Sequence, residues 1–390
     1  METSKKFNST LTLWSLAISA FAIGSTEFIS VGLLPLLVNS FNVTLSVASL
    51  TVSVYAFGVM IGAPVLTKLT TQWNRHTLMA GLMLVYIIGN VLAASATNFF
   101  WLLAGRIIAA LVHGLFMSVS SVIAADVVAP SKRASAIAMM FTGLTVATVT
   151  GVPLGTFIGQ HFGWRMSFLF LALIGLISMI ANWVLVPRNL PIGGKIKFGS
   201  IGKLITDKKI LLALPLTVFG YGSTFTSYTY ISPILSQLMH FSADNIVIIL
   251  IAYGLMVAIG NTIGGRVADA NPVTALGWMF SLLTVSLVLL GIFIHLKWLG
   301  LLMTLFLGLF AFMNVPGEQL LIVQLAEKSH PKDIGLASAL NISAFNIGIM
   351  VGSGLGSQVV QLSSLGWTPY AGAIMGVIAV GLTLKLKQIE

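Results

Sequence analysis

The 390-residue chain is 57% hydrophobic and only 8% charged, with a net charge of +10 and no cysteine. A soluble domain carries about 25% charged residues, so most of this chain must have lipid as its solvent. Without cysteine there are no disulfides, thiolate metal sites or cysteine nucleophiles.

The start, METSKKFNST, is basic and runs into an apolar stretch over 11–38. That stretch is too long for the core of a secretory leader and lacks a small-x-small cleavage site. A first membrane helix is expected there. A span needs about 20 apolar residues. Cutting at charges and at Pro/Gly/Asn clusters predicts twelve spans, at 11–38, 43–67, 76–96, 99–125, 135–159, 164–187, 210–238, 245–266, 272–296, 298–325, 334–360 and 367–385. Connections are short except 188–209, a basic, Gly-containing linker suited to lie against anionic headgroups.

The basic residues test the count. With the N-terminus inside and sides alternating, 17 of the 20 lysines and arginines fall on the inner side. Only Arg165 and Lys297 fall outside, and Arg106 falls within a span. This is the positive-inside pattern, which a missed helix would scramble. Both termini are therefore expected in the cytoplasm, and the positive charge is a topology signal, not a nucleic-acid surface.

The two halves repeat. GSTEFISVGLLP at 24–35 parallels GSTFTSYTYISP at 222–233. Gly58 and Gly62 parallel Gly260 and Gly264, Asp126 and Pro130 parallel Glu327 and Pro331, and Gly151 and Gly155 parallel Gly352 and Gly356, at offsets of 201–202. Parallel repeats are a transporter architecture with the site near midplane. The expected fold is an all-α integral membrane protein. Its twelve transmembrane helices form two pseudo-symmetric six-helix bundles, 1–187 and 210–390, joined by the 188–209 linker.

The stretches STEFISVGLLP (25–35), GRIIAALVHGLFMSV (105–119), FGWR (162–165) and YTYISP (228–233) resemble the major facilitator superfamily over essentially the whole chain. Within it the chain is most similar to twelve-spanner drug–proton antiporters, and nearest to bacterial arabinose- or sugar-efflux-like permeases. The family's span-5 antiporter motif matches Gly151, Pro153, Gly155 and Gly159, and the small-residue spacing extends upstream through Ala147 to Gly143. The span-4 motif matches Arg106 and Gly114. The loop 2–3 motif is degraded in the first half, where Thr67 follows Gly62, and is better kept in the second, with Gly264, Gly265, Arg266 and Asp269. The resemblance implies that spans 5 and 11 pack against partners in the opposite half, making their glycines a rocking contact between halves. It also implies that spans 1 and 4 line the central cavity.

Only Glu27 and Glu318 are acids clearly inside spans. A charge at the bilayer centre is costly, about 2.5–3.5 kcal/mol on insertion scales, and faces protein or water when it persists. Glu27 lies about 12 Å below Pro35 along the helix, out of reach of the surface, and is the candidate proton carrier. Arg106 sits at a matching depth in span 4, so a Glu27–Arg106 pairing is a route to coupling; the alternative is a fixed ion pair joining two helices. His113 is one heptad deeper on the same face, either a proton relay or a neutral histidine bonded to a neighbouring helix. Glu318, nearer the cytoplasmic end and beside Pro316 and Gly317, is the other acid placed to carry a proton, or else a gating or packing residue. Asp126, with Arg75, Lys132 and Arg133 near, is expected to be a gate or packing contact, and Thr67 and Asp269 are grouped with it. Tyr221, Phe225, Tyr228 and Ser232 recur along one face of span 7. Together with the buried amides Asn314, Asn341 and Asn346, the three aromatics are candidates to line a substrate cavity, or else to pack helices together.

The motifs of ATPases, metalloproteases and metal centres are absent from the sequence. An intramembrane hydrolase should present a nucleophile and base at matching depth, and a sensor should carry a sizeable output domain; neither is found. The expected activity is proton-coupled export of small amphiphilic, drug-like compounds by alternating access in the cell membrane of a bacterium. Sugar or metabolite efflux is the alternative. No cofactor or metal is called for, the proton gradient being the energy source, and the chain is expected to act as a monomer.

Overall fold

The computed structural model describes residues 9–70, 72–129, 133–190, 199–268, 270–331 and 333–389, and these contain helices and connections but no strand. Among them are 12 helices long and apolar enough to cross a membrane: Ser9–Phe41, Leu45–Ala63, Arg75–Ala94, Phe99–Asp126, Met139–Phe162, Trp164–Leu185, Lys208–Leu238, Ala243–Ala268, Pro272–Phe293, Lys297–Ser329, Ile334–Leu362 and Leu365–Ile389. We number them spans 1 to 12. Large apolar side chains stay outside, among them Trp278 and Trp298, each more than 70% exposed. In water such a surface would aggregate; in hydrocarbon it is the solvated face.

Helix starts follow local chemistry. The Asn74 side chain accepts from the His76 amide and opens span 3, Asn98 accepts from Trp101 to open span 4, and Asn271 accepts from Thr274 to open span 9. Each satisfies an amide that the first helical turn leaves without a partner. Gly163, with φ +89°, makes the turn from span 5 to span 6, where a side chain would be strained.

Three spans are irregular, and two of the interruptions have a proline cause. Pro153 has no amide hydrogen to give the Val149 carbonyl, and the turn before it widens into a π-helical segment, Ala147–Gly151. In span 10 the helix Lys297–Ala311 ends, residues 312–314 form a turn, and a second helix, Val315–Ser329, starts with Pro316 in its first turn, where a missing donor costs nothing. Span 7 also breaks, after Tyr228, and ends in a π segment, Ile234–Leu238.

By contact density the chain forms two compact units, Met1–Ile29 with Ile61–Ile196, and Ser30–Met60 with Lys197–Glu390. In the first unit, a methyl on Gly62 would overlap the Leu111 carbonyl oxygen. In the second, a methyl on Gly264 would overlap the Met313 carbonyl oxygen. Both partners of this contact are displaced by the same 202 residues. The sequence repeat is thus also a repeat of helix–helix contacts.

The glycine stripe of span 5 corrects one expectation. Gly143 abuts Ala17 and Phe21, Gly151 abuts Ser25, and Gly155 abuts Ile29, so the stripe seats on a matching four-residue stripe of span 1. Gly348, Gly352 and Gly356 of span 11 seat in the same way on Val218, Gly222 and Thr226 of span 7. For the glycines the partner is the first span of the same half, while span 11 also meets span 2, which belongs to the other half, through Ser353 and Ser357. The physical reason is close approach: without a hydrophobic force between helices in lipid, small residues are used where backbones touch, and here they touch within a half. Gly159 is buried on the same helix.

The linker ends in a short helix, Gly199–Thr206, that buries Leu204 in the apolar core of the second unit with Ile210, Leu276, Phe280 and Leu325. Asp207 then caps span 7, accepting from Lys209 and Ile210 at 2.9 and 3.3 Å, and lies 3.3 Å from His330 Nε2. Partial burial raises the pKa of its carboxyl, but the Ile210 and Lys209 amides, the Ser329 hydroxyl and His330 outweigh this and hold it below the usual carboxylate range.

Candidate functional site

In the first unit the polar centre is one turn of span 1. The Arg106 side chain of span 4 is 1% exposed. Its Nη1 donates to the Thr26 carbonyl and its Nη2 to the Glu27 carbonyl at 3.1 Å. A buried guanidinium has five N–H groups to satisfy, and helical carbonyls keep a second lone pair that can accept them. Arg106 therefore reaches the turn that carries Glu27, through the main-chain carbonyls of Thr26 and Glu27. Tyr86 of span 3 completes the cluster: its hydroxyl bonds Thr26 Oγ1 and donates to the Ala22 carbonyl at 2.7 Å. Its ring fits against Gly175 of span 6, where a methyl would come within 2.7 Å of it. Sequence reasoning missed Tyr86, because a lone tyrosine in an apolar helix carries no spacing signal. His113 is buried one heptad beyond Arg106 in the same helix.

Asp126 and Arg75 form an ion pair at 2.6 Å, joining the end of span 4 to the start of span 3. Asp269 and Lys132, and the side chains of Thr67 and Arg133, lie outside what the structure describes.

In the second unit Tyr221, Phe225 and Tyr228 share a face of span 7, and other rings occupy that face. Phe312, at the break in span 10, lies 5.5 Å from Tyr221 and 6.3 Å from Phe225, centroid to centroid. Phe345 of span 11 meets Tyr221 edge-on at 5.0 Å, and Tyr253 of span 8 stacks on Tyr228 at 5.3 Å. The result is a buried aromatic cluster drawn from four spans.

The three amides divide. Asn341 accepts from Thr217 and donates to Gln319 Oε1, and Gln319 donates to Ser338, so this amide is committed to joining spans 7, 10 and 11. Asn346 donates to the Ile342 carbonyl and leaves its Oδ1 without a bond. Asn314 and Glu318 are both buried at the span 10 break, and among the described residues their side chains have no hydrogen-bond partner.

A hydroxyl ladder closes one end of the second unit. Ser46 meets Ser357, Ser49 accepts from Tyr230 at 2.8 Å, and Ser53 meets Ser353 at 2.6 Å, tying the start of span 2 to spans 7 and 11. These serines recur at i, i+3 and i+7 of span 2, one helical face.

The Major Facilitator Superfamily model matches residues 16–331. The chain is 48% identical over 378 residues to the uncharacterized MFS-type transporter YtbD of Bacillus subtilis (strain 168), covering 97% of this chain and 96% of that protein. It is 30% identical over 371 residues to a probable sugar efflux transporter of Pasteurella multocida (strain Pm70), covering 95% and 91%. Among solved structures, a bacterial homolog of the human lysosomal transporter Spinster, inward-facing and unoccupied, aligns with TM-score 0.76 at 15% identity over 99% of this chain and 98% of that one. At that identity the likeness is one of fold.

Proposed function

Because the chain belongs to the Major Facilitator Superfamily, and is a membrane transporter and not an enzyme, we propose that it is a proton-coupled exporter of small amphiphilic molecules, with Glu27 as proton carrier. The observation that carries this reading is the Arg106 guanidinium held on the Glu27 turn inside the membrane span. A carboxyl at that depth is costly to keep charged unless water, a cation or a proton attends it. In the proposed cycle, substrate enters from the cytoplasm and binds as Glu27 releases its proton. The two halves, 1–187 and 210–390, rock about their interface and substrate leaves outward. A proton from outside then reloads the acid. Arg106 tunes the exchange, His113 relays, and the Tyr221/Phe225/Tyr228 cluster with Phe312 reorders to receive apolar rings. In this reading both termini lie on the cytoplasmic side of the cell membrane, which the basic-residue distribution supports, and the chain works as a monomer.

A second reading, sugar efflux, is favoured by the names of relatives such as the Pasteurella multocida protein and by the hydroxyl-rich sequence GSTFTSYTYIS of span 7. A thermal-shift panel of lipophilic cations and sugars on the purified protein separates the two. The deciding experiment uses proteoliposomes loaded with the hit. An imposed pH gradient should drive its movement in wild type and not in Glu27→Gln, while counterflow without a gradient persists in both. Full gradient-driven export by Glu27→Gln would remove Glu27 as carrier.

A further inference from the structure

The break in span 10 leaves four polar atoms unmet. Asn314 is fully buried and Glu318 is 1% exposed. Among the described residues, Asn314 Oδ1 and Nδ2 and Glu318 Oε1 and Oε2 have no hydrogen-bond partner. The two residues are one turn apart, the Glu318 amide donating to the Asn314 carbonyl at 2.9 Å, so their side chains share a face.

Among the described residues, no cation offsets the acid. Spans 7, 8, 9 and 11 pack against the helix Val315–Ser329. Spans 9 and 11 carry no ionisable residue. Span 7 carries Lys208, Lys209, Tyr221, Tyr228 and Tyr230, and span 8 carries Asp244, Tyr253 and Arg266. Of these only the tyrosines are buried. On its own helix Glu327 and Lys328 lie more than two turns away, at the exposed end. The helix N-terminus favours an anion, but its partial charge is small against the desolvation of an unpaired carboxylate.

The surroundings also choose the cation. Glu318 Oε1 lies 2.9 Å from where a Gly220 methyl would stand, and the Phe280 ring edge crowds the same point. Leu276 and Ala268 line the adjoining Gly317. A metal ion needs a shell of oxygens, and beyond the carboxylate and Asn314 Oδ1 these neighbours are methyls and ring carbons. A proton needs no shell.

We propose that Glu318 is a second proton-binding site, carried by the second half of the transporter and loaded in this conformation. Asn314, one turn earlier, is the hydrogen-bonding group that meets the carboxylate once the proton leaves. This inference rests on the transporter assignment and not on Glu27 being the carrier.

The test is infrared spectroscopy of the purified full-length protein in lipid, titrated with alkali. Wild type should show protonated-carboxyl C=O absorption at neutral pH that contains a Glu318 component. Glu318→Gln should lose that component, whereas Glu27→Gln should keep it, so failure of the Glu27 reading is distinguishable from failure of this one. Glu318→Asp, with glutamate carrying ¹³C, keeps an acid at the site for the case where the amide variant does not fold; the component should then lose its isotope shift. Two results overturn the proposal. One is a protonated-carboxyl band identical in wild type and the Glu318 variants. The other is a band that sodium, at fixed pH, removes in wild type only, which would make the site a metal site.

Discussion

Ser53 and Ser353 meet hydroxyl to hydroxyl at 2.6 Å, 300 residues apart in sequence. The contact is the last rung of a ladder that includes Ser46–Ser357 and Ser49–Tyr230. Because the chain has no cysteine of its own, the pair Ser53→Cys/Ser353→Cys can be read without background. A disulfide needs Cβ atoms about 3.5–4.5 Å apart, which two hydroxyls in contact allow. Mild oxidation should link the two sites, seen as a reducible cross-linked peptide, and should stop export until reductant is added. An absent cross-link would mean that these helix faces do not meet in the membrane.

Gly143 and Gly155 stand on one stripe, yet they should differ sharply. A methyl on Gly143 would strike the Ala17 carbonyl oxygen, a main-chain atom that cannot turn aside. A methyl on Gly155 would strike Cδ1 and Cγ1 of Ile29, side-chain atoms that shift more easily than main chain. Gly143→Ala is expected to destabilise by about 1–3 kcal/mol, as overpacking does, and Gly155→Ala by much less. Gly81→Ala, with open space around it, should be neutral or gain up to about 1 kcal/mol of helix propensity. Melting temperatures in detergent rank the three; equal losses at Gly143 and Gly155 would refute the assignment of partners.

Arg106→Lys replaces two nitrogens on two carbonyls with one. A hydrogen bond from a charged donor contributes about 1.5–3 kcal/mol, so one such loss is the expected drop in stability. Arg106→Met, which removes the charge as well, should cost more. If Arg106 acts on Glu27, the pH at which gradient-driven export is half-maximal should move in Arg106→Lys. An unchanged profile with lowered stability would leave Arg106 a purely structural residue.

Asp207 gives a pH prediction with a definite sign. Its carboxyl is held below the ordinary value, so the stability it contributes is complete above the unfolded-state pKa of about 3.9 and is lost as pH falls through the lower folded-state value. Removing the cap by Asp207→Ala should cost about 1 kcal/mol at neutral pH. The gap from wild type should close in acid, below the usual carboxylate range. Melting curves across that range check it, and a gap that widens on acidification would contradict it.

How much of this was legible beforehand depends on whether side chains or main chain make the contact. The spans were legible because twenty apolar residues in a row have few other meanings, and the repeat because glycines recur at 62 and 264. Their partners Leu111 and Met313 were not, since each offers a carbonyl oxygen, which every residue has. The same holds for Arg106, which was visible as a buried cation while its acceptors, the carbonyls of Thr26 and Glu27, were not. The glycine stripe of span 5 announced a close approach without saying to what; spacing fixes a face, never the helix across from it. Asn341 and Asn314 looked alike in sequence, and differ because Thr217 and Gln319 reach one while, among the described residues, no hydrogen-bonding group reaches the side chain of the other.

The seating of span 5 on span 1 bears on how the protein is made. Ala17, Ser25 and Ile29 are synthesised more than a hundred residues before Gly143, Gly151 and Gly155. Through that interval the face of span 1 that carries Ala17, Phe21, Ser25 and Ile29 lacks its span 5 partner, and the Thr26–Glu27 turn lacks Arg106 until span 4 is made. A ribosome-bound chain truncated after span 4 should hold Arg106 on span 1 but leave the stripe open to lipid or to a chaperone. Release of that groove marks the point at which the fifth span has left the insertion machinery. Assembly of the first half is in this sense an ordered sequence of arrivals, with the glycines of span 5 as its closing step.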